Sequence, residues 1–298
     1  MKVRILAALG LLSLAAPPTP AWNDWCQVRA PRDATIDAGG AESLRVEARA
    51  GSLRIVGERG LDRVIVQGRA CASDRETLEA IRLRADRSGR EIRVVAEIPE
   101  HSGLFSHGGG GLDLEMRVPA SLAADVTDSS GEAEVHGVAS LRIEDSSGEL
   151  RIRDIAGEVR VHDSSGELQV EHVGGLVVDD DSSGSIRVRD VRGAVLVRQD
   201  SSGGIDIRDV GGSVTIGKAG SGGVRVDNVR GDFTVERIGS GGIEHSRVGG
   251  RIDVPEDRHA RRARERAERD RERERERAEH NRERAERDRE RALRRRDR

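Results

Sequence analysis

Short alternations of apolar and polar residues run through most of this chain, and they recur with a fixed period. The segment DSSGELRIRDIAGEVRVH, residues 145–162, is followed at once by DSSGELQVEHVGGLVVDD. In each half of such a unit, apolar residues stand at every second position, as in Leu150 and Ile152. Alternation with period two, bounded by Gly and Ser, predicts short strands that bury one face.

Glycines in Ser-Ser-Gly or Gly-Ser-Gly mark the period, and the intervals between consecutive marker glycines are nearly equal. A period this short predicts a solenoid, because one unit cannot bury its apolar face alone whereas a stack of units can. We expect these glycines to form the structural turns of the repeat. They are Gly131, Gly148, Gly166, Gly184, Gly203, Gly222 and Gly241.

The predicted fold is therefore all-β. It is a parallel β-solenoid with about 18–19 residues per coil. A charged single α-helix is expected to follow it at the C terminus. Each coil has two strands and two corners, one ending in Val or Ile and the other carrying Ser-Ser-Gly. An antiparallel meander or sandwich also gives alternation, but it does not explain why two kinds of corner alternate. Serine side chains at stacked corners are expected to bond from coil to coil.

An aspartate precedes the serine pair in five successive repeats. Stacked at one-coil spacing, these carboxylates would repel one another, so we expect them to splay into water or to meet arginines. Calcium-binding β-rolls have a similar period, but their G-G-x-G-x-D-x-U-x motif is absent here. The histidines are scattered, and we predict no metal, cofactor or catalytic residue. The aspartates are Asp128, Asp145, Asp163, Asp181 and Asp200.

The region before the repeats, residues 22–127, has a looser version of the same pattern and is expected to begin or cap the stack. Ser73 and Glu76 form a capping-box pattern that predicts a short helix over residues 74–80. Residues 81–99 are typical of a hairpin with Ser88-Gly89 at its turn, and residues 101–111 of a flexible loop. The remaining predicted segments are 1–21, 128–255 and 256–298.

Residues 1–21 are typical of a secretory signal peptide. Lys2 and Arg4 precede an apolar run over residues 5–16, and small residues follow, so cleavage is expected after Ala21. The apolar run is short for a bilayer span, which leaves an uncleaved anchor as the alternative and predicts no transmembrane span in the mature chain. The chain is thus expected in the periplasm, at the cell surface or outside the cell.

Cys26 and Cys71 are the only cysteines of the chain. In an exported protein an even pair predicts one disulfide, and two buried thiols are the alternative. Aromatic residues make up only 1% of the chain. This scarcity argues against any carbohydrate-binding or nucleic-acid function that needs stacking platforms, and no nucleic-acid partner is expected.

The net charge of −3 averages two unlike parts. Residues 256–298 contain 19 Arg and 14 acidic residues, so the tail is basic and the remainder acidic. Arg, Glu and Ala favour a solvated, salt-bridged helix, and a disordered tail is the alternative. The end of the tail is a candidate for contact with anionic glycans, lipopolysaccharide or headgroups. Its arginines are Arg294, Arg295, Arg296 and Arg298.

The repeat pattern, the export signal and the phrase DSSGELRIRDIAGEVRVHDSSG together resemble the DUF4097 family, bacterial exported proteins often labelled adhesins. The similarity covers residues 26–254. It implies a β-solenoid, export and a cell-envelope or adhesion setting, and it supplies no catalytic residues.

We predict a non-enzymatic, adhesin-like envelope binding or scaffold protein. The flat faces of the rod would contact a polar partner, such as a glycan, lipopolysaccharide or another envelope protein. The alternatives are a structural spacer that presents the charged tail and a β-helical enzyme acting on polysaccharide.

Overall fold

The structure is a computed structural model, and it describes residues 26–99, 109–255, 266, 268–275 and 277. Residues 26–99 and 109–119 contain eight strands and one helix. These are β1 (Val28–Pro31), β2 (Ala34–Asp37), β3 (Ser43–Glu47), β4 (Leu53–Glu58), β5 (Arg63–Ala72), α1 (Arg75–Ala80), β6 (Arg82–Ser88), β7 (Glu91–Glu97) and β8 (Gly110–Pro119).

The second part of the chain is built of strands alone up to residue 253. They are β9 (Ala123–Asp128), β10 (Ala133–His136), β11 (Ser140–Asp145), β12 (Gly148–Arg153), β13 (Glu158–Val173), β14 (Gly175–Val191), β15 (Val195–Gln199), β16 (Ile205–Val210), β17 (Val214–Ala219), β18 (Val224–Val229), β19 (Phe233–Ile238), β20 (Ile243–Val248) and β21 (Ile252–Asp253). Residues 268–275 are helical and exposed, as the sequence predicts for the tail.

Two stacks of parallel strands form the rod, and each coil contributes one strand to each stack. The first stack contains β3, β9, β11, β15, β17, β19 and β21, and the second contains β4, β10, β12, β16, β18 and β20. The long strands β13 and β14 turn the Ser-Ser-Gly corner and so belong to both stacks. The predicted parallel β-solenoid is confirmed, and the antiparallel alternative is wrong for the repeats.

Like residues lie above like residues along the rod. Leu141 pairs with Val159, and Ile143 pairs with Val161. All four are almost fully buried, and equivalent Val, Ile and Leu residues continue the same interior rows in the other coils. Each such side chain stabilises the stack by about 1.5–3 kcal/mol through removal from water.

A β-bulge explains why the later coils are longer than the earlier ones by a single residue. Val161 pairs with Val178, but the next residue, His162, pairs with Asp180. Asp179 is therefore an extra residue in β14, and the following pair, Asp163 with Asp181, is again in register. The bulge lets the longer coils keep the same residue type at the same place in the stack.

The Ser-Ser-Gly corner is a close backbone contact between coils. Gly148 and Gly166 have φ values of 130° and 134°. An added Cβ at Gly166 would overlap the carbonyl oxygen of Gly148, so the corner requires glycine. The expected coil-to-coil serine bonds are present, since the Ser165 hydroxyl donates to the carbonyl oxygen of Ser146 at 3.1 Å.

One end of the rod is closed by the N-terminal region. The coil formed by β3 and β4 lies between β7–β8 on one side and β9–β10 on the other. Beyond it, β5 pairs antiparallel with β1, β2 and β8, and β6 pairs antiparallel with β7. The N-terminal strands thus both supply the first coil and cover its edge.

The short helix α1 lies where the sequence predicts it, but its N-cap is Asp74 rather than Ser73. The Asp74 carboxylate accepts a hydrogen bond from the backbone N–H of Thr77 at 2.8 Å. At the other end, the Arg32 guanidinium donates to the carbonyl oxygens of Leu78 and Ile81, both at 2.8 Å. Arg32 therefore satisfies carbonyl groups that the helix leaves without partners.

The predicted disulfide is confirmed. Cys26 and Cys71 are bonded, with their Cα atoms 5.6 Å apart, and they close a loop across the N-terminal cap. Among the described residues, no helix is both long and apolar enough to cross a bilayer. The predicted signal peptide, most of the loop over residues 101–111 and the arginines at positions 294–298 lie outside the described residues.

Candidate functional site

The second corner of each coil carries a residue in the left-handed backbone conformation. The φ values of these residues lie between 51° and 58°. Asp, Asn and His adopt this conformation more readily than other non-glycine residues, which fits five of the six residues found here, Arg247 being the exception. We call this set the outer column, and it consists of Asp154, His172, Asp190, Asp209, Asn228 and Arg247.

Side chains of the outer column are exposed and contact one another from coil to coil. His172 lies between two carboxylates, with Nδ1 3.7 Å from Asp154 and Nε2 3.5 Å from Asp190. The Asn228 amide donates to the Asp209 carboxylate at 2.5 Å. The column therefore presents a continuous row of polar groups to solvent.

A groove follows the outer column along the rod, and we call it the corner groove. It has a volume of about 710 Å³ and runs past five coils, from Asp154 to Arg230. Its floor includes the corner residues Ile155, Val191 and Val210, which pack into the core. At the ~4.8 Å spacing of adjacent strands, the five coils give it a length of roughly 20 Å.

The chemistry of the corner groove is mixed. Carboxylates of the outer column stand beside two guanidinium groups, Arg192 and Arg230, and the imidazole of His172. Arg192 is held in place through its Nη2 group, which donates to the carbonyl oxygen of Ala156 at 2.5 Å. The groove thus offers hydrogen-bond acceptors and donors side by side above a partly apolar floor.

On the flat faces of the rod, outward charges form ion pairs between neighbouring coils. On the second stack, Arg54 contacts Glu134 at 2.6 Å and Arg225 contacts Glu244 at 2.6 Å, each pair joining neighbouring coils. On the first stack, Arg198 contacts Asp179 at 2.9 Å in the same way. Because many outward charges pair within the rod, the corner groove is a better candidate binding surface than the flat faces.

The five aspartates before the serine pairs do not lie where the sequence reasoning placed them. Their exposed fractions are only 0–2%, so the prediction that they splay into water or meet arginines is wrong. Strand pairing puts them directly above one another in the interior, beside the Ser-Ser-Gly corner. We call this set the inner column, and it consists of Asp128, Asp145, Asp163, Asp181 and Asp200.

Hydrogen bonds satisfy the inner column only in part. The backbone N–H of Ser129 donates to Asp128 at 2.9 Å, and that of Ser165 donates to Asp163 at 3.2 Å. Eight carboxyl oxygens of the column are buried without a hydrogen-bond partner, among them both oxygens of Asp145, Asp181 and Asp200. Unpartnered buried polar atoms are rare in proteins and call for an explanation.

Burial shifts the protonation equilibria of the inner column. It raises the pKa of Asp128 and Asp181 to about 7 and that of Asp163 to about 6, and neighbouring carboxyls of the column add to each effect. Burial also raises the pKa of Asp145 and Asp200. The outer and inner columns therefore differ in chemistry although both are rich in aspartate.

The marker glycines that the sequence predicts as repeat turns lie at a corner of the coil and not in the corner groove. All seven marker glycines lie at the Ser-Ser-Gly corner, although Gly222 and Gly241 are not among the glycines of positive φ. Within the described ranges, no group of three or more His, Cys, Asp or Glu side chains is arranged to hold a metal ion. The outer column was missed from sequence, yet the Asp, His or Asn that recurs before five successive corner Val or Ile residues was the signal.

Comparison with known proteins yields similarity to solved structures only. No protein-family model matches the chain, and no curated protein matches it significantly. A crystal structure of a proposed adhesin from Bacteroides fragilis is 10% identical and covers 77% of this chain and 98% of its own, with a TM-score of 0.46. One from Parabacteroides distasonis, also a proposed adhesin, is 14% identical over 76% and 96%, with a TM-score of 0.41.

A proposed lipid-binding protein from Parabacteroides distasonis is also similar, at 13% identity over 76% of this chain and 97% of its own, with a TM-score of 0.38. Because no family model matches, membership of the DUF4097 family stays a prediction.

Proposed function

We propose that this chain is an exported, non-enzymatic binding or scaffold protein of the cell envelope, and that its rod binds an extended glycan along the corner groove. The observation that carries the proposal is the part of the outer column that lines the corner groove, a row of exposed polar side chains in register over five coils. A repeating surface fits a repeating ligand, because each coil offers a similar set of groups at a fixed spacing.

Glycan is favoured as the ligand class by the mixture of groups in the groove. Carboxylate, amide and imidazole groups hydrogen-bond hydroxyls, and Arg192 and Arg230 offer donors to acidic substituents. Each contact is weak and exposed, so affinity would come from many contacts repeated along the chain of sugars.

Export is supported by two features of the N-terminal part. The sequence begins with the charge and hydropathy pattern of a signal peptide. The disulfide between Cys26 and Cys71 fits an oxidising compartment such as the periplasm or the extracellular space.

The test is a glycan array together with co-sedimentation of the mature protein with isolated envelope fractions. The groove variant is Asp190→Gly with Asp209→Gly, since glycine keeps the left-handed backbone without strain while removing the side chain. The control is Glu144→Ala with Glu236→Ala, which removes two exposed acids from the first stack.

We expect the groove variant to lose at least tenfold in affinity while the control binds like the wild type. A chain lacking residues 256–298 should also bind like the wild type, since the proposal places the ligand on the rod. Equal binding by the groove variant, or loss of binding only when the tail is removed, would contradict the proposal. Absence of binding to any array glycan or envelope fraction would favour the spacer alternative instead.

A further inference from the structure

Lys and Arg side chains are not among the groups that shift the protonation equilibria of the inner column. Beyond its own members, the side chains that act on its protonation are Asp180, which is itself acidic, and His162. The backbone N–H groups of the corner serines and of Gly220 are the other polar groups that face the column.

Apolar residues make up the rest of the surroundings. Ile143 precedes Asp145 on the inward face of β11, and Leu150 follows the corner on the inward face of β12. The same arrangement recurs in neighbouring coils because the strands are in register. Five adjacent carboxylates in such an interior would repel one another without relief from solvent.

Protonation of the inner column would remove both the repulsion between its carboxylates and the lack of hydrogen-bond partners for its buried oxygens. A carboxylic acid has one O–H donor and keeps its acceptor capacity, whereas a carboxylate only accepts. Stacked acids one coil apart can therefore donate to one another and give partners to most of the eight oxygens that lack them. The repulsion between neighbouring members disappears for every proton that the column holds.

We propose that the inner column is a proton-binding site, and that the folded rod holds its aspartates as carboxylic acids that are hydrogen-bonded from coil to coil. The rod then takes up protons from solution when it folds near neutral pH. Its stability is coupled to the acidity of the compartment in which it works.

The two ends of the column show that an acid is not needed for packing. Ala48 follows Glu47, which pairs with Thr127, and so takes the position next to Asp128. Ala219 follows Lys218, which pairs with Gln199, and takes the position next to Asp200. Both alanines are buried, so a small apolar side chain fits the same place in the coil.

The experiment compares two neighbouring residues of β11 that point in opposite directions. Asp145→Asn replaces a buried carboxyl with a neutral group of the same shape, and Glu144→Gln makes the same chemical change on the exposed face. Urea unfolding of the mature protein between pH 4 and 8 gives the number of protons taken up on folding from the slope of stability against pH. Infrared spectra at pH 6 give the carbonyl band of protonated carboxyl groups.

We expect the wild type to take up protons on folding at pH 6, Asp145→Asn to take up fewer, and Glu144→Gln to match the wild type. The carboxylic-acid band should be present in the wild type and weaker in Asp145→Asn. If Asp145→Asn does not fold, Asp200→Ala replaces it, since Ala219 occupies the adjacent position of the column.

Two results would overturn the proposal. One is an equal slope of stability against pH for the inward and outward variants, with no carboxylic-acid band in the wild type. The other is stability at pH 6 that depends on the concentration of Na⁺ or Ca²⁺ rather than on pH, since the column would then hold a cation in place of protons.

Discussion

The two corners of each coil carry aspartate in opposite surroundings. Asp163 in the inner column has an exposed fraction of 0%, whereas the side chain of Asp190 in the outer column is 53% exposed. Asp163 lies beside the Ser-Ser-Gly corner among apolar rows, and Asp190 lies at the second corner with its carboxylate near His172. One residue type therefore serves, as we propose, proton binding inside the rod and ligand binding outside it.

Backbone geometry produces this difference. In β11 and β13, the inner aspartates continue the every-second-residue alternation, so they point inward like the Val or Ile two positions earlier. At the second corner, one residue with positive φ turns its side chain outward and lets the next Val or Ile point inward. An aspartate in a regular strand position therefore points inward, whereas an aspartate in the left-handed conformation points to solvent.

The largest expected effect comes from the tight backbone contact of the Ser-Ser-Gly corner. Gly203 has a φ of 127°, and a Cβ there would overlap the carbonyl oxygen of Gly184. We expect Gly203→Ala to lower the free energy of unfolding by about 3 kcal/mol or more, from backbone strain and steric overlap.

The neighbouring Gly204→Ala is the matched control, because the closest atom to its added Cβ would be 3.9 Å away. Its change should stay within about 0.5 kcal/mol. Urea unfolding of both variants measures the difference. Equal stability of the two would show that the coils are not in close contact at this corner.

The next effect is the pH dependence of stability. The folded pKa values of about 6 to 7 in the inner column lie above the usual value of 3.8, so the folded state holds more protons than the unfolded chain between these limits. The contribution of the inner column to stability is therefore full below about pH 4, falls as pH rises, and is lost above pH 7. We expect a loss of at least about 2–3 kcal/mol from pH 5 to pH 8, because one buried carboxyl with a pKa of about 7 contributes about that amount by itself.

Denaturant titrations at fixed ionic strength measure this dependence. The exposed ion pairs of the flat faces contribute little, so they should not mask it. A stability that rises steadily from pH 5 to pH 8 would mean that the column does not bind protons.

A smaller effect is expected at the second corner. Asp209 has a φ of 58°, which a β-branched side chain does not tolerate. Asp209→Val should cost about 1–2 kcal/mol, and Asp209→Gly should be close to neutral. Thermal unfolding of the two variants gives the comparison, and an unchanged melting temperature for Asp209→Val would contradict the left-handed conformation.

Much of the rod was predictable because its repeat is short and regular. The alternation of Leu150 with Ile152 and of Val159 with Val161 identifies the strands, and the fixed glycine spacing identifies the stack. The two cysteines were sufficient to predict the disulfide. The strands and the stack follow from the local pattern, and the disulfide follows from the cysteine pair together with the predicted export.

The interior position of Asp145 was also present in that pattern, since it follows Leu141 and Ile143 at spacings of two. The prediction failed because repulsion between charged carboxylates was assumed, whereas a buried carboxyl can remain protonated. Pairing between strands that lie far apart in the sequence could not be predicted in this way. The insertion of the β3–β4 coil between β7–β8 and β9–β10 has no local signal.

The most direct test of the account is a site-resolved titration of the aspartate side-chain carboxyl carbons by NMR in the folded, mature protein. We predict that Asp128, Asp163 and Asp181 titrate with midpoints between about pH 6 and 7 in the folded protein. Chemical shifts showing these three residues already ionised at pH 5 would contradict it.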